Sequence, residues 1–175
     1  MSCGYGKSKK QGCDVEKFSI QAGTYYVAEM NAEISRMAMS YMPTTLSEND
    51  YGYVEGYVTY MSEEVLSVVI LYYYDHADEE EYRISALNYD MSTGEKLSIQ
   101  EMLPEYEFMI GFRSSCEEQN GYTSSAVLET MTDDEILKTI TDLESGVAFY
   151  SPVGVDIGFN YPDGWLTVTL KQEYY

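Results

Sequence analysis

The ten residues from Asn88 to Leu97 constrain the local fold more than any other stretch of the chain. They follow an apolar run, Val65 to Tyr74, and precede Ser98-Ile99-Gln100-Glu101, which has the composition of a helix start. Asp90 can accept backbone hydrogen bonds in a turn, and Gly94 can adopt the positive φ that a tight turn requires. The segment therefore predicts a strand, a tight turn and a capped helix in succession, without catalytic chemistry of its own.

Hydrophobic periodicity predicts one helix and three strands in the first half of the chain. Apolar positions between Tyr26 and Tyr41 recur every three or four residues, as in an amphipathic helix, and Pro43 ends the pattern. Residues 51–61 alternate as in a half-buried strand, whereas Val65 to Tyr74 is apolar on both faces and is typical of a central strand. Arg83 to Asp90 is predicted to be the third strand.

The second half of the chain has helix patterns followed by strand patterns. Glu105 to Glu118 is predicted to be a helix that the Asn-Gly pair at 120–121 breaks. Thr132-Asp133-Asp134-Glu135 has capping-box spacing and opens a further helix, which Gly146 is predicted to end. Two alternating strands joined by a Tyr-Pro-Asp-Gly turn then close the chain, at 155–159 and 166–170.

Together these patterns predict one α+β domain, with an antiparallel sheet of about five or more strands and helices packed on one face. The predicted domain spans residues 18–175, which is long enough to bury a genuine core. Residues 1–17 are polar and contain several glycines, serines and lysines, so they are predicted to form a flexible N-terminal tether.

Composition limits the classes of partner. Apolar residues make up 45% of the chain, as in a globular protein, and no run approaches the ~18 apolar residues of a membrane helix. The formal net charge of −20 argues against nucleic acid and anionic membrane surfaces as partners. It favours a cationic macromolecule if there is such a partner; alternatively, the acidity only keeps the surface solvated.

The N-terminus and the cysteines bear on cellular location. Ser2-Cys3-Gly4 followed by a polar stretch is similar to the start of a mature bacterial lipoprotein, in which Cys3 would carry the lipid. The alternative is a cytosolic start with a disordered tail. If Cys3 is lipidated, Cys13 and Cys116 remain as an even pair that could form a disulfide outside the cytoplasm; three unrelated thiols are equally ordinary in a cytosolic protein.

Several motifs together resemble one bacterial family. The apolar strand, the segment N-Y-D-x-x-T-G-E-x-L at Asn88 to Leu97, the short helix after it and the later pattern Phe149-Tyr150-Ser151-Pro152-Val153-Gly154-Val155 are similar to the C-terminal domain shared by the anti-sigma factor RsiV and the peptidoglycan deacetylase PdaC. The resemblance runs from residue 26 to the end of the chain. It departs from the family at 75–81, where an acidic loop replaces a Gly-Gly-Ala-His loop.

The resemblance implies a cellular location and a function. It implies a domain of unassigned function in the bacterial cell envelope, exported from the cytoplasm. In the anti-sigma factor the domain is implied to receive an extracellular signal, and the cationic protein lysozyme is the partner associated with it. We therefore expect an extracytoplasmic protein, anchored to the membrane only through the lipid on Cys3.

No motif indicates a catalytic centre, a metal site or a cofactor. His76 is the only histidine, it lies in the acidic loop, and neither a nucleophile-elbow motif nor a phosphate-binding glycine loop occurs. The alternative to a binding function is a cell-envelope carbohydrate-active hydrolase that uses paired carboxylates. Because the chain has 30 acidic residues, a chance pair of carboxylates is almost assured and indicates little.

Tyrosine is the residue that best indicates a binding surface. The chain has 19 tyrosines, and several fall on the strand faces opposite the predicted core. Tyrosine gives a large contact area at a low entropic cost, which suits recognition surfaces and sugar platforms. The candidate ligand-binding residues are Tyr51, Tyr53, Tyr57, Tyr73 and Trp165; alternatively, these rings belong to a core. The sequence thus favours a non-catalytic binding or sensing module that recognises a cationic extracellular protein or peptidoglycan.

Overall fold

The fold is seen in a computed structural model. It describes the backbone of residues 2–10, 13–21, 26–41, 50–76, 79–103 and 108–171, and the side chains of this part except at 2–26, 76, 79, 108–110 and 122–125. The elements are, in chain order, β1 (Ser2–Lys10), β2 (Cys13–Gln21), α1 (Tyr26–Ser40), β3 (Tyr51–Met61), β4 (Val65–His76), β5 (Glu79–Asp90), α2 (Ile99–Met102), α3 (Phe108–Glu129), α4 (Asp133–Thr141), β6 (Gly146–Ser151), β7 (Gly154–Tyr161) and β8 (Gly164–Lys171).

The described strands divide between two sheets, with the orders β1-β2-β3-β4-β5 and β6-β7-β8. Each sheet contains an antiparallel three-stranded meander, β3-β4-β5 in the first and β6-β7-β8 in the second. β1 and β2 form an antiparallel hairpin that joins β3 through a short parallel pairing. The α+β class is confirmed, but the predicted single antiparallel sheet is wrong.

One face of the first sheet packs on α1. Val27, Met30, Ile34 and Ala38 are buried and lie three or four residues apart, which places them on one side of the helix. They pack against alternate residues of the meander, namely Val54, Leu66, Val68, Ile70, Tyr72, Leu87 and Tyr89. This arrangement confirms the amphipathic helix predicted from Tyr26 to Tyr41, which ends at Ser40 in the structure.

The second sheet buries a face of its own under α3 and α4. Phe112, Cys116, Ile136 and Ile140 of these helices are fully buried. They form one cluster with residues of the second sheet, namely Ala148, Val155, Ile157, Phe159, Leu166 and Val168. Two separate cores explain why the strands do not form one sheet: periodicity marks each strand but does not say which strands pair.

Part of the other face of the first sheet meets the second sheet. Val69 and Ile84 pack on Val147 in a third apolar cluster. Beside it, the side-chain amide of Asn88 donates a 2.7 Å hydrogen bond to the carbonyl oxygen of Ala148, and this asparagine is itself buried. A buried polar group is costly unless it is hydrogen-bonded. The bond from Asn88 to Ala148 is therefore favoured in only one alignment of the two sheets, which helps to fix their register.

The local turn and capping predictions are confirmed. Asp90 accepts hydrogen bonds from the backbone N–H groups of Ser92 and Thr93, and Gly94 has a φ of 79°. Ser98 caps α2 and Thr132 caps α4, and both form a capping box. In each box the carboxylate three residues later, of Glu101 or Glu135, accepts a hydrogen bond from the backbone N–H of the capping residue. Gly164, in the predicted turn before β8, has a φ of 141°.

Two predicted boundaries differ from the structure. Residues 2–10 and 13–21 form the paired strands β1 and β2, where the sequence predicts a tether up to residue 17. Backbone pairing accounts for this, because hydrogen bonds between strands do not require apolar side chains. α4 ends at Thr141, and Gly146 begins β6 instead of ending that helix. The division into tether and domain stays a prediction.

Helix α3 is longer than predicted, but it contains the predicted break. It runs from Phe108 to Glu129, and Gly121 interrupts it with the non-helical angles φ 72° and ψ 179°. A positive φ is strained in residues other than glycine, so a helix can be resumed beyond such a kink only because residue 121 lacks a side chain. The guanidinium of Arg113, which precedes the kink, donates to the carbonyl oxygen of Leu128 in the second half of α3. It also donates to the carboxylate of Asp133 in α4 and so links α3 to α4.

Candidate binding surface

The exposed end of the first sheet carries a cluster of aromatic rings, on the face that meets the second sheet. Tyr53 of β3 is the register partner of Tyr73 of β4, which is in turn the partner of Tyr82 of β5. Ring centroids are 5.3 Å apart for Tyr53 and Tyr73, and 4.8 Å apart for Tyr73 and Tyr82. Tyr51 extends the row, at 6.1 Å from Tyr73, and is 50% exposed. We call Tyr51, Tyr53, Tyr73 and Tyr82 the tyrosine patch.

The strand geometry explains why these rings meet. Directly opposed residues on one face of an antiparallel pair have Cβ atoms about 5 Å apart, so the rings of opposed tyrosines come into contact across the strands. One step further along the same face, Leu71 and Ile84 take part in the apolar cluster between the two sheets. The tyrosine patch therefore begins where the cover provided by the second sheet ends.

A single carboxylate connects two rings of the patch. Glu80 accepts hydrogen bonds from the hydroxyl of Tyr73, at 3.3 Å, and from the hydroxyl of Tyr82, at 3.1 Å, one on each carboxylate oxygen. Desolvation of its hydroxyl by the surrounding rings, followed by the charges of Glu80 and Asp75, raises the pKa of Tyr73 to about 12. The pKa of Tyr82 is raised as well, first by desolvation and then by its bond to Glu80. A tyrosine with the ordinary pKa of 10.0 is already protonated at pH 7, so both hydroxyls are neutral donors there, and the raised pKa extends this state to higher pH.

The electrostatic surroundings of the patch are negative. Asp75 and Glu80 lie directly opposite each other on β4 and β5, on the same face as the tyrosines. Like charges in opposed positions destabilise a sheet, and a bound cation would relieve that repulsion. Aromatic ring faces also attract cations, with a gain of about 0.5–2 kcal/mol per contact. Rings and carboxylates together make this surface suited to a positively charged group.

The structure brings together three of the five candidate residues. Tyr51, Tyr53 and Tyr73 belong to the patch. Tyr57 is 41% exposed on the same face, but it lies about 13 Å further along the strand than Tyr53, and its hydroxyl bonds the Glu55 carboxylate.

Trp165 lies elsewhere. Its ring packs in the third apolar cluster, with Val69, Ile84 and Val147, and makes no ring contact with the patch in the described part of the chain.

Sequence reasoning missed Tyr82 and Glu80. The predicted third strand began at Arg83, whereas β5 begins at Glu79 and so extends the ladder into the stretch interpreted as an acidic loop. The alternation of Glu80, Tyr82 and Ile84 was the available signal. Charged residues are depleted in strands, which is why the run of glutamates favoured a loop.

Of the three cysteine side chains, the structure describes only that of Cys116. Cys116 is a free thiol, fully buried on α3, and its burial raises its pKa. The side chains of Cys3 and Cys13 lie outside the described residues. The structure thus gives the Cys13–Cys116 pair no support, and both the pair and the lipidation of Cys3 stay predictions.

Within the described residues, the carboxylates whose pKa is shifted serve structural roles. Hydrogen bonds within turns and caps lower the pKa of Asp90, Glu101, Glu135 and Asp142. A glycosidase general acid requires a raised pKa instead. In the described ranges no group of three or more potential metal ligands occurs, and no helix there is long and apolar enough to span a membrane. The side chain of His76 lies outside the described residues.

An open groove of about 410 Å³ lies beside α4. Its charged lining residues include Glu135 and Asp142, which already accept the capping bonds of Thr132 and Ser145. The rest of the lining mixes polar and apolar side chains, namely Thr130, Met131, Lys138, Thr139 and Ser145. The groove therefore offers less for recognition than the tyrosine patch.

Comparison with solved structures supports the fold. No family model and no curated protein matches the sequence. The crystal structure of a DUF3298 family protein from Pseudomonas aeruginosa PAO1 is similar with a TM-score of 0.63 at 10% identity, over 97% of this chain and 90% of that chain. A DUF3298 family member from Bacteroides fragilis NCTC 9343 is similar with a TM-score of 0.62 at 10% identity, over 98% and 90%.

The likeness defines the class of fold. Both neighbours belong to a bacterial domain family of unknown function, and the likeness extends over almost the whole of this chain. At 10% identity it shows the fold alone. The resemblance to the domain of RsiV and PdaC stays a prediction.

Proposed function

We propose that this protein is a non-catalytic binding or sensing module of a bacterial cell envelope, and that the tyrosine patch with Glu80 recognises a cationic extracellular protein. The observation that carries the proposal is the row of contacting, partly exposed rings, in which the hydroxyls of Tyr73 and Tyr82 both donate to the Glu80 carboxylate. Tyrosine is enriched among the few residues that supply most of the binding energy in protein interfaces.

Charge supports the choice of partner. The net charge of −20 would steer a cationic protein towards the surface and accelerate the encounter, with a strong dependence on salt. Screening acts over about 8 Å at physiological ionic strength, so the long-range part of the attraction should fall as salt is added. Peptidoglycan, whose sugar rings could stack on tyrosine, is the other ligand that the sequence suggested. A sugar platform does not need opposed carboxylates, so the cationic protein is favoured.

Location belongs to the same proposal. An extracytoplasmic protein anchored through Cys3 would present the patch to proteins outside the cell. Mass spectrometry of the protein purified from its native membrane tests the anchor, and an unmodified Cys3 would contradict it. Peptide mapping without reduction tests the Cys13–Cys116 pair, and free thiols at both positions in oxidised, folded protein would exclude it.

The function is tested by titrating the purified protein with lysozyme, as a cationic probe protein, at low and moderate salt. We expect saturable binding that weakens with salt. Glu80→Lys should weaken binding at least tenfold. Glu118→Lys on the exposed surface of α3 changes the net charge equally and should weaken it about twofold or less. Equal effects of the two variants would show that only net charge matters. Binding of peptidoglycan fragments in place of lysozyme would transfer the surface to sugars.

A further inference from the structure

The outer edge of β5 is hydrogen-bonded by other parts of the chain at one end. Because β5 is the last strand of its sheet, alternate residues direct their backbone N–H and C=O groups away from β4. The side-chain amide of Asn160 occupies this edge at Ile84, where it accepts from the backbone N–H and donates to the carbonyl oxygen, both at 2.9 Å. Further along, Asn88 and Asp90 bond the backbone of the segment 95–97.

The other end of the same edge is open in the described part of the chain. β5 keeps an unbroken register with β4 from Glu79 to Asp90, so Glu80 and Tyr82 direct their backbone groups outwards as Ile84 does. No hydrogen bond to these outward groups is made by the described residues. An unpaired edge of this kind is a template for an added strand.

We propose that this open edge, at Glu80 and Tyr82, binds an extended basic segment of a partner protein by β-strand addition. The inference rests on the proposed function and specifies how the cationic partner is held. An added strand would place alternate side chains on the face of Tyr82 and Glu80, beside the tyrosine patch. A lysine or arginine there would meet the ring of Tyr82 and the carboxylate of Glu80, while the backbone would provide the register.

The acidic side chains at the open end of β5 favour a basic strand as the added strand. Glu80 and Glu81 are exposed at the open end, so two copies of β5 would repel each other if they paired edge to edge. A basic strand would be attracted by the same side chains. The sheet's opposite edge is β1, which carries Lys7, Lys9 and Lys10, and pairing of β1 with the β5 of a second copy is therefore the competing occupant.

Selective N-methylation of a peptide ligand tests strand addition on the full chain. The probe is a synthetic heptapeptide in which lysine alternates with valine. We expect it to bind and to slow amide hydrogen exchange at Glu80 and Tyr82. Methylating the amides of one alternate set of residues should weaken binding at least tenfold, and methylating the other set about twofold or less, because only one set faces the edge. Equal effects of the two sets would overturn the proposal.

Two controls separate the possible failures. If lysozyme binds and is sensitive to Glu80→Lys but the heptapeptide does not bind, strand addition is wrong and the proposed function stands. If neither binds, the proposed function fails as well. Sedimentation of the protein alone should show a monomer. Concentration-dependent association that Glu80→Lys abolishes would assign the edge to β1 of a second copy and overturn the proposal.

Discussion

The rings of Tyr73 and Tyr82 face each other across β4 and β5, and both hydroxyls donate to Glu80. This contact makes the pKa of Tyr73 testable. Desolvation and the Glu80 charge raise that pKa to about 12, so Glu80→Gln should lower it towards the ordinary value of 10.0 without reaching it. NMR titration of ring-labelled tyrosine measures the shift, and Tyr73→Phe assigns the signal. An unchanged pKa in Glu80→Gln would show that the carboxylate does not bond Tyr73 in solution.

The same shift sets a dependence of stability on pH. Since the folded protein holds the Tyr73 proton more tightly than the unfolded chain does, this stabilisation is complete below pH 10 and is lost as the pH rises towards 12. Chemical unfolding at pH 9 and pH 11 should therefore show a smaller loss of stability for Tyr73→Phe than for the wild type. Equal losses in the two proteins would contradict the raised pKa.

The capping box of α4 provides a stability prediction. Thr132 accepts the Glu135 backbone N–H, and the Glu135 carboxylate accepts the Thr132 N–H in return. Thr132→Ala should lower the free energy of unfolding by about 1 kcal/mol. Thr130→Ala is the matched control and should cost less, because the exposed Thr130 hydroxyl bonds the Val127 carbonyl oxygen and no other group among the described residues. Denaturant unfolding distinguishes them, and equal costs would show that the box is not formed.

The Glu135 carboxylate should also make the stability of the protein depend on pH in the acid range. Hydrogen bonds from Thr132 lower the pKa of Glu135 below its ordinary 4.5. The unfolded chain thus binds a proton at a higher pH than the folded protein does, so this stabilisation is present above pH 4.5 and is lost as the pH falls through the folded-state pKa. The melting temperature of Glu135→Gln should approach that of the wild type between pH 5 and pH 3. A constant difference across this range would be inconsistent with the lowered pKa.

The buried amide of Asn88 is predicted to join the two sheets. It donates to the Ala148 carbonyl oxygen and accepts from the Ser67 hydroxyl, and the same hydroxyl accepts the Tyr150 backbone N–H. Asn88→Ala leaves the Ala148 carbonyl oxygen unsatisfied and should cost about 2–3 kcal/mol. The double variant with Ser67→Ala should cost less than the sum of the two single variants, because both belong to one network. Additive costs in denaturant unfolding would argue against the network.

Turns and helix caps could be predicted from the sequence, whereas the pairing between distant strands could not. The Asp90 turn, the positive φ of Gly94 and the Thr132 cap each depend on a few neighbouring residues, and each is confirmed. The separation into two sheets depends on which faces pack together, and periodicity does not contain that information. Tyr82 was missed because the glutamates before it favoured a loop over a strand, and its place in the patch comes from its register with Tyr73.

We propose that the tyrosine patch, and not tyrosine in general, binds the cationic partner. Tyr73→Ala removes the ring that contacts Tyr51, Tyr53 and Tyr82. Tyr57→Ala removes an exposed ring from the same face of the first sheet, outside the patch. Comparing the dissociation constants of these two folded variants for lysozyme, at one salt concentration, is the most direct test. We expect a loss of roughly tenfold or more for Tyr73→Ala, which corresponds to about 1.4 kcal/mol, and a change of about twofold or less for Tyr57→Ala. Equal losses, or a larger loss for Tyr57→Ala, would contradict the proposal.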